Sequence, residues 1–170
     1  MRYLSAITML ILTLAITHPV AAQSFKPDYW AAIAAWQSQD FATVLKHLRP
    51  LAEQGHAGAA QNLGRMYQDG LGVNKDMKQA VKWYRIGAKL GDSYGLLKLG
   101  WSYRDGKDVL QDLVMAYVWF NIAAIHDNEE ANKERNEVRA KLTASELKLA
   151  RKLSKLCLRK PAKCPEYSDD

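Results

Sequence analysis

Residues 63–84 read LGRMYQDGLGVNKDMKQAVKWY, and 36 positions later residues 99–120 read LGWSYRDGKDVLQDLVMAYVWF. Laying 56–91 on 92–127 needs no gap and gives eleven identities, against about two or three by chance; self-similarity at such a period is the signature of a stacked-repeat architecture. Among the identities are Leu63/Leu99, Gly64/Gly100, Tyr67/Tyr103, Gly70/Gly106, Asp76/Asp112, Ala80/Ala116 and Trp83/Trp119. The same step backwards pairs Asp40 with Asp76, Ala52 with Ala88 and Gly55 with Gly91. A partial unit over 28–55 therefore precedes the full units 56–91 and 92–127.

Each full unit reads as two helices around a glycine turn. Ala60, Leu63, Gly64 and Tyr67 recur at spacings of three and four, one apolar stripe on a first helix, with Ala60 and Gly64 small enough for a neighbour to approach closely. Asp69-Gly70-Leu71-Gly72-Val73 supplies positions that tolerate positive φ. Asp76 stands where a helix N-cap belongs, with Gln79 placed to complete a capping box, and Asp112 repeats the cap without that partner. On the second helix Ala80, Trp83, Tyr84, Gly87 and Ala88 share a face, and Gly91 ends it.

Residues 128–158 read as a last pair of capping helices that has lost the motif, as terminal repeats do when their outer face meets water. Thr143-Ala144-Ser145-Glu146 is a capping box with a Leu142/Leu147 staple. Residues 159–170, interrupted by Pro161 and Pro165, form a tail. Cys157 and Cys164 either close a short disulfide loop or, for Cys157, serve as a small buried helix residue; both readings stay open.

The run Leu-Gly-x-x-Tyr-x-x-Gly-x-Gly-Val-x-x-Asp-x-x-x-Ala-x-x-Trp-Tyr over residues 63–84 resembles the Sel-1-like repeat, a relative of the tetratricopeptide repeat. The likeness covers about residues 28–158 and is strongest over 56–127; the second unit departs from it at Asp108, where the first has Gly72. The resemblance implies an all-α, right-handed α/α superhelical solenoid of stacked helix-turn-helix repeats that serves as a scaffold or adaptor, with no cofactor and another protein as partner. Some exported bacterial members have been linked to cell-wall antibiotics or secreted effectors.

The N-terminus has the layout of a leader: Arg2, an apolar run from Leu4 to Ile16, then small residues at Val20 and Ala22. Cleavage after Ala22 is expected, because the run is shorter than the roughly 20 apolar residues needed to span a bilayer. The solenoid would then occupy 23–158 in a periplasmic or secreted, monomeric protein with no membrane span. The formal charge of +6 falls by one, to +5, when Arg2 leaves with the leader.

Catalytic constellations are weak. Ser145 and Lys148 formally fit a Ser-x-x-Lys element of penicillin-recognising enzymes, but Ser-Asp-Asn and Lys-Thr-Gly are absent and the capping box explains these residues more simply. Glu129, Glu130, Glu134 and Glu137 read as a solvated helix face, with Lys133 and Lys141 four residues after Glu129 and Glu137. His47, His56 and His126 do not cluster with the thiols, and no phosphate loop occurs. No catalytic, metal or cofactor-binding residues are assigned, and export argues against nucleic acid as partner.

Binding surfaces are clearer. From Lys148 to Lys163 seven basic residues (Lys148, Arg151, Lys152, Lys155, Arg159, Lys160, Lys163) meet no acidic one. They suit an acidic partner or anionic envelope polymer, or simply a solubilising cap. The second surface is the inner curve, lined by the first helix of each unit. There Asn62 becomes Lys98, Arg65 becomes Trp101 and Gln68 becomes Arg104, which suggests exposure. Trp and Arg dominate many interfaces, so Trp101 with Arg104, Arg65 and Tyr94 forms the expected contact set, the competing reading being that Trp101 is core. An immunity or regulatory protein that inhibits a secreted or envelope enzyme is the alternative function.

Overall fold

The computed structural model describes residues 27–107, 109–159 and 164–165. The expected leader cut after Ala22, the turn at Asp108, and Lys160, Lys163 and the rest of the tail beyond Pro165 lie outside the described residues.

The chain forms α1 (Tyr29–Gln37), α2 (Phe41–Glu53), α3 (Ala57–Asp69), α4 (Met77–Lys89), α5 (Ser93–Asp105), α6 (Leu113–Ile125), α7 (Glu129–Arg139) and α8 (Ala144–Arg159), with no strand among the described residues. All eight start on a side-chain cap. Asp76 and Asp112 accept from the amides of Gln79 and Met115, each at 3.0 Å. Asp28, Asp40, His56, Asp92 and Asn128 do the same for their helices. Each such cap satisfies an otherwise orphaned amide and contributes about 1 kcal/mol. At α8 the box is complete: Thr143 N–H donates to Glu146 at 2.8 Å, and Glu146 N–H donates to the Thr143 hydroxyl at 3.3 Å.

At α4 the expected reciprocal bond from Gln79 does not form. The Asp76 amide instead donates to the Tyr67 carbonyl at 2.9 Å, and the Asp112 amide repeats this with Tyr103 at 2.9 Å. That bond spans the glycine turn and consumes the donor a capping-box side chain would need. Gly70 and Gly106 take left-handed φ of 75° and 67° to make the turn possible, a conformation that costs any residue with a Cβ.

Each helix from α1 to α6 packs on the next, and α6 carries both α7 and α8. The alternating apolar stripes thus build one continuous stack with two apolar centres that meet at α4. Val44, Leu48, Leu63, Met66 and Trp83 fill the first. Tyr84, Leu96, Leu99, Val118, Trp119 and Phe120 fill the second, joined by Ala150 and Cys157 of α8 and by Cys164. Helix α6 (LVMAYVWFNIAAI) is apolar around its whole circumference, which suits a helix covered by α5, α7 and α8.

Small residues set the spacing within each unit. The Tyr84 ring lies so close to Gly64, and the Phe120 ring so close to Gly100, that a Cβ at either glycine would overlap it.

Candidate functional site

The positions that vary between the two full units are largely engaged between consecutive first helices. Asn62 on α3 donates to the Tyr29 hydroxyl on α1 at 3.2 Å. The Arg65 guanidinium lies 5.4 Å from the centre of the Trp36 ring and pairs with Asp69 at 3.5 Å. On α5, Arg104 bonds to Asp105 at 2.6 Å and to Glu134 of α7. Its hydrogen bond to Asp105, then Glu134, raises the Arg104 pKa further above its ordinary value, and the same bond lowers that of Asp105. Glu134 therefore departs from the solvated face on which Glu129, Glu130 and Glu137 do lie exposed. Nor do Glu129–Lys133 and Glu137–Lys141 form ion pairs among the described residues.

Between α3 and α5 the gap stays open. Where the end of α3, the start of α4 and the face of α5 meet lies a cleft of about 450 Å³, lined in part by Gln68, Lys75, Tyr84, Lys98, Trp101 and Arg104. The Lys98 ammonium stands 4.9 Å from the Tyr94 ring centre and 4.8 Å from that of Trp101, held by cation–π attraction to both. Tyr94 meets Tyr84 edge to face at 6.1 Å. The Tyr84 hydroxyl donates to Gln68 at 3.0 Å, and burial pushes its pKa far above the usual phenol value, so it stays a neutral donor.

Trp101 is half-buried: one part of the ring packs on the core and the rest walls the cleft, which joins the two readings the sequence left open. The site offers a rigid aromatic wall with ammonium groups at its rim. Ser102 carries no nucleophilic promise, because its hydroxyl donates to the Lys98 carbonyl at 3.1 Å along the helix.

On α8, Lys148, Arg151, Lys152, Lys155 and Arg159 are all exposed. They flank two shallow depressions of about 500 and 330 Å³. The Ser145 hydroxyl lies 3.1 Å from that of Thr143, within the cap. Cys157 and Cys164 are joined, with Cα atoms 4.6 Å apart, and both are buried. Among the described residues no three His, Cys, Asp or Glu come together as a metal site would require, and no helix is long and apolar enough to cross a membrane.

Sequence reasoning placed Lys98 and Gln68 on the variable inner face but left them out of the expected contact set, and it missed Lys75. For Lys98 the signal was present: Tyr94 and Trp101 flank it at four and three residues along one helix, the spacing at which side chains meet.

Helix pairs repeated at a fixed step and stacked through shared helices define an α-solenoid of helix-turn-helix repeats. Residues 57–92 and 93–128 each match the Sel1 repeat, and the chain is a Sel1-repeat protein. Its fold is similar to that of a protective antigen present in uropathogenic Escherichia coli strains, described as displaying an SLR fold. The TM-score is 0.70 and the identity 32%, over 80% of this chain and 30% of that one. It is also similar to a Sel1 repeat protein from Oxalobacter formigenes, with TM-score 0.62 and 25% identity over 65% of this chain and 46% of that one. The chain thus spans less than half the length of either. No curated protein matches it.

Proposed function

We propose that this chain is an exported adaptor that holds another protein in the α3–α5 cleft, with Trp101 as the anchor and no catalysis of its own. The observation that carries the reading is the cleft itself. Side chains bridge α1 to α3 and α5 to α7, yet between α3 and α5 they leave about 450 Å³ walled by Trp101 and Tyr84. A large ring fixed on one side by the core loses little freedom on binding, which favours it as an interface anchor. Sel1 repeats as a class favour scaffolding of other proteins. Export is supported by the leader-like N-terminus and by the Cys157–Cys164 pair, since such bonds persist in oxidising compartments. The likeness to a protective antigen fits a location outside the cytoplasm.

The test places a photo-crosslinking residue at position 101, and at the exposed Leu110 as control, in protein exposed to envelope and secreted fractions of the native host. A protein captured from 101 and not from 110 supports the reading. If 101 captures only what 110 captures, the cleft is not a binding site.

A further inference from the structure

Helix α8 turns its apolar side inward, burying Ala150, Ser154 and Cys157. On the opposite side Lys148, Lys152, Lys155 and Arg159 fall on one stripe at steps of four, three and four, with Arg151 beside them, and all five are exposed. At about 1.5 Å rise per residue the stripe is roughly 16 Å long. Glu146, the helix's acidic residue, is consumed by the Thr143 cap. Among the described residues none of the five cations has a carboxylate partner. Surface cations on helices commonly have acidic neighbours one turn away; here like charges follow one another, a costly arrangement unless an anion covers it.

Charge is not the whole pattern. The depressions beside the stripe have apolar floors and cationic rims: Leu147 lies in one, Leu153 and Leu156 in the other, and Lys152 and Lys155 stand on the rim of both. Leu149 and Leu158 flank the stripe with 48% and 39% of their surface exposed. A polyanion without apolar groups would satisfy the ammonium groups and leave these floors wet.

We propose that the outer face of α8 is a second docking surface, separate from the cleft at Trp101, that takes an acidic peptide segment of a partner protein whose leucine-like side chains seat in the two depressions. The acidic groups pair with Lys152, Lys155 and their neighbours, and the apolar side chains give the contact its selectivity over other anions.

The probe is a fluorescent synthetic peptide of alternating Glu and Leu turns, compared by anisotropy with an all-Glu peptide, a Gln/Leu peptide and inorganic polyphosphate. The Glu/Leu peptide is expected to bind about tenfold or more tighter than any of the three, weakening as salt rises, and Lys152→Glu with Lys155→Glu should cost about tenfold again. Both replacements lie on exposed positions, and unchanged helical circular dichroism confirms the fold. Polyphosphate or the all-Glu peptide binding as tightly as Glu/Leu would overturn the peptide assignment in favour of a polyanion site. Unchanged affinity in the double variant would remove α8 as the surface. Trp101→Ala should leave peptide affinity intact; its loss would merge the two surfaces and end the proposal of a separate one.

Discussion

The ring of Tyr84 occupies the space where a side chain on Gly64 would begin, with ring carbon Cδ1 only 2.6 Å from the site of a Cβ. Phe120 and Gly100 repeat the relationship one unit later. Gly64→Ala and Gly100→Ala must therefore push a buried ring, at about 1–3 kcal/mol of overpacking. The better helix propensity of Ala returns at most about 1 kcal/mol. Gly87 is a control within the same unit, because a Cβ there would meet Asp92 at an ordinary 3.6 Å. Gly87→Ala should raise Tm while the other two lower it, as urea or thermal melts will show.

Asp92 caps α5 at 2.6 Å from the Gly95 amide, yet burial raises its pKa above the ordinary 3.8. The folded state then binds its proton more tightly than the unfolded one. Its contribution is greatest at acid pH and is lost as pH rises from the ordinary carboxylate value through the raised one. Asp92→Asn keeps the capping oxygen and removes the charge. It should be at least as stable as wild type at pH 7 and should flatten the fall in stability that wild type shows as pH rises above the ordinary carboxylate value. A steeper profile in the variant would refute this.

The Arg104–Glu134 bond is a polar tie between α5 and α7. A double-mutant cycle with Arg104→Ala and Glu134→Ala should yield a coupling of about 1–2 kcal/mol, larger than a free surface pair gives. Coupling near zero would show that the bond is not maintained in solution.

Export and the Cys157–Cys164 bond can be read together from protein recovered outside the cytoplasm. Alkylation under denaturing, non-reducing conditions should label no thiol, and after reduction both. The N-terminal residue should be Gln23. Reduction should cost about 2.5 kcal/mol of stability by the loop-entropy account. Two free thiols or an intact leader would contradict the proposed location.

The repeat step, the glycine turns and the caps at Asp76, Asp112 and Thr143 were legible because each depends on residues close together in sequence. Long-range choices were not. Gly64 announced a close approach without naming Tyr84 as the group that makes it. Arg104 looked free because its partner, Glu134, lies 30 residues away in a helix outside the repeat. Gln79 looked like half of a capping box because nothing in the sequence shows that the Tyr67 carbonyl takes the Asp76 amide first. The Trp101 cleft was legible only as a face: three elements must meet before a gap exists between them.

The bonds from Asp76 to Tyr67 and from Asp112 to Tyr103 fasten each helix pair with atoms of its own backbone, nine residues apart. A turn secured in this way depends on the glycine and the capping Asp that each block carries with it. Whole 36-residue blocks can consequently be duplicated or deleted in frame without relearning the turn, so that the number of units becomes an inheritable variable while the surface chemistry of each block drifts on its own.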